Sequence, residues 1–450
     1  MPDNAYTAGI LTLGCKVNQY ESEALAEALA ARGFRVQSPE RVCDLYVINT
    51  CTVTAESDRK SCQIIRRARH RNPGAWILVT GCLAQVSPGR VAAIPGVDAV
   101  CGNAEKLAVA ETAAALAARG RKNQAPELRV GPPDALGYEP MRISRFGRTR
   151  AYLKIEDGCE NRCAYCIIPN ARGRVRSRPP ADVLEEAARL TAGGCRELVL
   201  TGIETASYGR DLPGVSLADL LCRVDRIPGV GRVRLGSLDP SVLRPEFVSR
   251  IAQLPSLAPH FHLSVQSGSD GVLARMRRKY NTRMMREGIR RLREAIPGVQ
   301  LTADMIAGFP QETEAEFEET LRFAGEVGFL NIHIFPYSER QGTPAAAMPG
   351  QVPAAVRHAR AARLTALQAG VRRGILDRMT GSTAEVLFET WRDGVATGHT
   401  GSFVEVACPS PVPLHARLLP VRILSNDGVR CSGAPEFPFP PPSERNGTQP

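Results

Sequence analysis

Aromatic residues are scarce, at 5% of 450 positions. That argues against a surface that grips nucleic acid mainly by stacking successive bases. No run approaches the 18 or more apolar residues of a membrane span, so no membrane partner is expected. The N-terminal region lacks a basic segment leading into a long apolar one, and Gly9–Cys15 is too short and too polar to serve as a secretion signal. The 13 cysteines are too sparse for a disulfide-dense secreted scaffold. Together these absences predict a cytoplasmic protein whose thiols stay reduced and free to hold metal. Acidic side chains are the minority as well, with 46 Asp and Glu against 57 Lys and Arg and a net charge of +11. A polyanionic partner is one explanation of that balance, and a solvated arginine-rich surface is the other. The length alone allows two to four domains, each large enough for its own core.

What is present is concentrated in Ala151–Cys166. Cys159, Cys163 and Cys166 follow a strand-like run in C-x3-C-x2-C spacing. Chance gives roughly 0.01 such triplets in a chain with this cysteine content. Thiolate is the soft ligand preferred by iron–sulfur clusters and zinc. Three ligands leave one iron of a 4Fe-4S cluster open to substrate or cofactor, much as a catalytic zinc keeps one position free. A zinc site completed by a distant fourth ligand satisfies the same spacing.

Residues 1–120 alternate short apolar strands (Ile10–Leu13, Leu45–Ile48, Trp76–Val79, Val97–Val100) with helical stretches (Glu21–Ala31, Glu56–Arg69), predicting an open parallel sheet. Cys15, Cys51 and Cys82 each lie two or three residues beyond a predicted strand. In such a sheet all carboxyl ends share one edge, where ligands bind. The three therefore converge as a second trio or, individually, serve as core packing. Cys101 is a possible fourth member, and Cys43 and Cys62 read as packing. The basic helix Arg59–Arg71 is either a solvated face or a phosphate-contacting one.

Clustered Pro and Gly at 121–145 predict a linker. Over 146–378 six larger strand–helix units begin at Tyr152, Glu197, Arg232, His260, Leu301 and Leu330, predicting a (β/α)6 partial TIM barrel with its site at the carboxyl ends of the strands. Short strands over 379–436 predict a small OB-like β-barrel. The proline-rich tail, 437–450, is expected to be disordered. The fold class is thus α/β with a small all-β module.

These residues carry a family resemblance. The C-x3-C-x2-C loop, with Tyr165 before its third cysteine, resembles that of the radical S-adenosylmethionine superfamily. Thr12–Glu23, Val47–Thr54, Gly81–Gln85, Asp157–Arg178 and Val265–Ser269 resemble the motifs of methylthiotransferases, whose C-terminal TRAM module the small barrel also resembles. The wording Cys15-Lys-Val-Asn-Gln-Tyr20 is most similar to the branch acting on threonylcarbamoyladenosine in tRNA. The resemblance implies two 4Fe-4S clusters, one on Cys159, Cys163 and Cys166 and one on Cys15, Cys51 and Cys82. It also implies S-adenosylmethionine as radical source and methyl donor, with Tyr165, Gly202, Ser264, Gln266 and Asp304 lining its pocket. The implied reaction removes hydrogen from C2 of adenine 37 by a 5′-deoxyadenosyl radical, then inserts sulfur and methyl. The implied partners are the tRNA anticodon stem-loop, a flavodoxin- or ferredoxin-like electron donor and a sulfur source. Branches acting on isopentenyladenosine or a ribosomal-protein aspartate share the same clusters. A non-catalytic zinc- and RNA-binding protein is the reading from a different class.

Overall fold

The computed structural model describes residues 6–122, 124–135 and 137–436; the tail 437–450 lies outside the described residues. Six strands form the N-terminal sheet, in the order Arg35–Gln37, Thr7–Thr12, Leu45–Thr50, Trp76–Gly81, Ala99–Cys101, Glu127–Arg129, and every neighbouring pair is parallel. Leu45–Thr50 and Trp76–Gly81 are buried along their whole length, as expected of central strands covered by helices on both faces. The two outermost strands have three residues each and little apolar content, so no periodic signal marked them. Glu127–Arg129 falls inside the stretch read as a linker. Cys101 lies within its strand rather than beyond it, buried in the hydrophobic core beside Thr112. Cys43 and Cys62 are also core residues.

The second unit has six parallel strands in chain order: Ala151–Lys154, Glu197–Thr201, Arg232–Leu235, His260–Gln266, Gln300–Ala307 and Asn331–Pro336. Parallel bridges Val233–Leu257 and Leu238–Leu263 join the two halves, which makes the predicted partial barrel. Its helices start on strong local signals. Ser216 and Thr313 each close a capping box, with Asp219 and Glu316 respectively. The basic helix Ala55–Arg71 is capped by Thr54, carries Glu56 and Asp58 in its first turn and ends on Arg69-His70-Arg71, matching its dipole at both ends.

One hydrophobic core runs from the N-terminal sheet into the barrel, joining Tyr20, Leu25 and Leu45 to Leu153, Leu198 and Leu263. The two α/β units therefore share an interior, and the space between them has fixed walls. The long helix Ala354–Met379 leads to a closed barrel ordered Thr383–Arg392, Val395–Thr400, Glu405–Pro409, Cys431–Pro435, Leu418–Asn426. Its last strand in sequence, Cys431–Pro435, lies within the predicted module. Among the described residues no helix is long and apolar enough to cross a membrane.

Candidate active site

Strand register brings the N-terminal cysteines together. Thr12 pairs with Asn49, and Asn49 with Thr80. Cys15 lies three residues beyond that row, and Cys51 and Cys82 two. The turns are tied to one another. Asn18 Nδ2 donates to Leu13 O at 2.7 Å and Thr50 O at 3.0 Å, and Thr50 Oγ1 donates to Thr80 O at 2.6 Å. Gly81, at φ 96°, must be glycine, since a Cβ there would stand 2.4 Å from Thr50 O.

Cys159, Cys163 and Cys166 occupy the loop after the first barrel strand. A Cβ on Gly158 would lie 1.8 Å from Arg174 O, so the loop and the Arg176–Ser177 segment behind it pack in backbone contact. Arg162 and Gln266 hold positive φ, 51° and 66°. Such backbone costs non-glycine residues about 1–3 kcal/mol and tends to persist at functional sites.

Both sets open onto one cavity of about 1340 Å³. Cys15, Cys51, Cys159, Cys163 and Cys166 line it, and so do Tyr165, Gly202, Ser264, Gln266 and Asp304. Of the two cysteine trios and the five residues assigned to the cofactor pocket, only Cys82 does not line it; it is 4% exposed and near enough to Cys15 and Cys51 for their charges to interact. Gly202 is small because a Cβ there would press on the Glu156 carboxylate at 2.5 Å. Asp304 is held between two histidines, Oδ2 to His262 Nε2 at 3.1 Å and Oδ1 to His333 Nδ1 at 3.2 Å.

The donor chemistry fits clusters better than a single zinc ion. Burial pushes the Cys51 thiol up to about 11, with the neighbouring thiols adding to the effect, and the Cys159 and Cys166 thiols up to about 12. Grouped thiolates thus need a cation among them. A tetrahedral zinc would draw its sulfurs to about 3.8 Å apart, from Zn–S of about 2.3 Å. Among the described residues only His262, Asp304 and His333 bring three ligand atoms within 4.8 Å of one another. Neither cysteine trio is gathered as tightly as that group.

Each trio also has an arginine that sequence reasoning did not single out. Arg278 donates to Cys163 Sγ at 2.9 Å and to Asp239 at 2.8 Å, and reaches Ser264 O at 3.2 Å. Arg172, fully buried, acts on Cys15 and Cys82 through its charge and bonds Asn18 at 2.6 Å and Glu21 at 2.5 Å. Burial alone would raise the Glu21 carboxyl, but Arg172, Lys106 and Lys154 hold it well below the usual range. Lys154 bonds both Glu21 and Asp157, so this ionic group joins the sheet to the barrel between the trios. Glu204 also lines the cavity, its carboxyl pushed up to about 7 by burial and the nearby Asp239 charge. Arg278 stands in a run of basic residues from Arg277 to Lys279, and nothing in that run marks the one that turns inward.

Comparison with known proteins agrees with this architecture. Residues 153–324 match the Radical SAM superfamily, and residues 7–102 match Uncharacterized protein family UPF0004. The chain is 40% identical over 426 residues to the threonylcarbamoyladenosine tRNA methylthiotransferase MtaB of Bacillus subtilis, covering 93% of this chain and 94% of the relative. It is 35% identical to the tRNA-2-methylthio-N(6)-dimethylallyladenosine synthase of Moorella thermoacetica, covering 93% and 95%. Among solved structures, the radical S-adenosylmethionine methyltransferase TsrM from Kitasatospora setae superposes with a TM-score of 0.56 at 19% identity, over 76% of this chain and 77% of that one, a likeness of fold. With S-adenosylmethionine and a 4Fe-4S cluster as the cofactors of its superfamily, the chain is an enzyme of the radical S-adenosylmethionine methylthiotransferase family.

Proposed function

We propose that this enzyme converts N6-threonylcarbamoyladenosine at position 37 of tRNA to its 2-methylthio derivative. The observation that carries the reading is that both cysteine trios address one cavity, so a carbon activated at one lies within reach of sulfur held at the other. Cys159, Cys163 and Cys166 would hold one 4Fe-4S cluster, and Cys15, Cys51 and Cys82 a second. With S-adenosylmethionine bound, these cofactors supply the hydrogen-abstracting radical, the sulfur and the methyl group.

The chain's own residues supply position and shelter. Tyr165, Gly202, Ser264, Gln266 and Asp304 form the cofactor walls, and Arg278 fixes the Cys163 sulfur against the Ser264 strand end. The buried Glu21 group keeps sheet and barrel at a constant separation and excludes water between them. The rim carries Lys60 and Arg357, suited to the phosphates of an anticodon stem-loop. An electron donor of flavodoxin or ferredoxin type and a sulfur source complete the turnover.

The threonylcarbamoyl substrate is supported by the Cys15–Tyr20 wording and by relatives named for it; the isopentenyl substrate is supported by relatives named for that one. Nucleoside analysis of tRNA from a deletion strain tests the choice. Loss of the 2-methylthio threonylcarbamoyl nucleoside is expected, and its survival would overturn the substrate assignment.

A further inference from the structure

Behind the main cavity, toward the C-terminal barrel, lies a chamber of about 180 Å³. Lys16, Tyr152, His262 and His333 line both spaces and so form their common wall. The chamber has room for several water-sized groups. That is enough for a short side arm and too little for a nucleotide.

Its lining is cationic. Lys16, Arg150, Arg234 and Arg372 face it, with Glu405 the one carboxylate. Arg150 is paired with Glu197 and Glu389, Arg234 shares Glu197, and Glu405 is paired with Arg430. Other donors are not used. Lys16 makes no hydrogen bond or ion pair among the described residues. The buried Nε of Arg372 has no partner either. Asp304, in the main cavity, is near enough for its charge to act on Lys16, but both of its oxygens are hydrogen-bonded to His262 and His333. Unpaired buried donors are costly, because a polar group away from water loses its hydration without replacement. A chamber with more cations than carboxylates on its walls, in which the Arg372 Nε and the Lys16 ammonium make no hydrogen bond, suits an anion.

We propose that this chamber seats the carboxylate of the amino-acid substituent on the modified adenine, with Lys16 as its counter-ion and Arg372 as a further donor. The inference rests on the threonylcarbamoyladenosine reading. The common wall gives the geometry: an adenine in the main cavity can direct its N6 arm past Lys16 into the chamber while C2 stays between the trios. An isopentenyl arm carries no charge and would leave these donors unsatisfied, so the chamber also selects against it. The same donors match a backbone phosphate, which position 37 chemistry would not alter, and this separates the two sources.

The test measures binding of full-length, anaerobically reconstituted protein to three anticodon stem-loops differing only at position 37: threonylcarbamoyladenosine, isopentenyladenosine and adenosine. The unsubstituted protein is expected to prefer the first over adenosine by about tenfold or more, the scale of one hydrogen bond to a charged group. Lys16→Gln should remove most of that preference. Arg372→Gln, far in sequence from every trio cysteine, should reduce the preference several-fold, so the proposal stays testable if Lys16→Gln disturbs Cys15. Iron content and melting temperature report any such disturbance. Equal losses for all three stem-loops would assign the chamber to phosphate and overturn the proposal. A preference for threonylcarbamoyladenosine that survives both substitutions would overturn the chamber assignment alone. No preference in the unsubstituted protein would overturn the substrate reading, and the chamber's role with it.

Discussion

The two cysteine trios reach one cavity by opposite routes. Cys159, Cys163 and Cys166 come from a single loop, locked by the glycine at 158 and by Arg278. Cys15, Cys51 and Cys82 come from three strand ends that adjoin only because the parallel sheet has formed in register. The loop trio is a local structure mounted on a barrel, whereas the sheet trio is a product of the fold itself. Damage to the first should therefore stay chemical, and damage to the second should be felt in assembly as well.

The sharpest way to break this contrast is to remove one cysteine from each. Cys163→Ala should abolish S-adenosylmethionine cleavage and with it all product, a loss of a thousandfold or more. Cys51→Ala should also abolish sulfur insertion while uncoupled cofactor cleavage persists. Iron analysis should fall from about eight to about four in each case, the content of one remaining cubane. Product from Cys51→Ala would show that the sheet trio is packing and not chemistry.

Next in size is Arg172→Met. Its guanidinium lies in the buried group with Glu21 and Asp157, and breaking one partner of such a group costs about 3–5 kcal/mol. The melting temperature should drop sharply, and iron should leave the sheet trio before the loop trio. Equal loss from both would contradict the view that the loop trio is locally held. Asn18→Ala removes the ties to Leu13 and Thr50 and should cost about 2 kcal/mol, again emptying the sheet trio first by iron count and electron paramagnetic resonance.

The smallest effect depends on pH. Burial pushes the Glu23 carboxyl, on the helix that follows Cys15, up to about 7 from an ordinary value of 4.5. A carboxyl raised in the folded state favours folding below pH 4.5 and loses that advantage as pH rises through 7. Glu23→Gln should therefore change nothing at pH 4 and stabilise the protein at pH 8 by about 1 kcal/mol, allowing for screening at a partly exposed site. Denaturant titration at the two pH values reads the difference.

The loop trio was legible because its cysteines sit close together in sequence, where spacing alone groups them. The sheet trio was legible through apolar strand runs each followed within a few residues by a cysteine. The edge strands Arg35–Gln37 and Glu127–Arg129 escaped notice because short, exposed strands carry no burial pattern. The arginines 172 and 278, Glu204 and the histidine pair around Asp304 escaped for a different reason. Burial of a charged residue depends on partners far away in the chain, as Arg172 meets Glu21 across 151 positions. Local sequence holds no trace of such a partner.

The register row Thr12–Asn49–Thr80 works as a ruler that measures across strands instead of along the chain. The loops at the other edge of the sheet can lengthen or shorten without moving any of the three sulfurs. One residue inserted within a strand, between that row and the rest of the ladder, would shift a cysteine by about 3.3 Å and turn it to the opposite face. Intervals between these cysteines should therefore drift freely among relatives, while insertions inside the three strands should be absent.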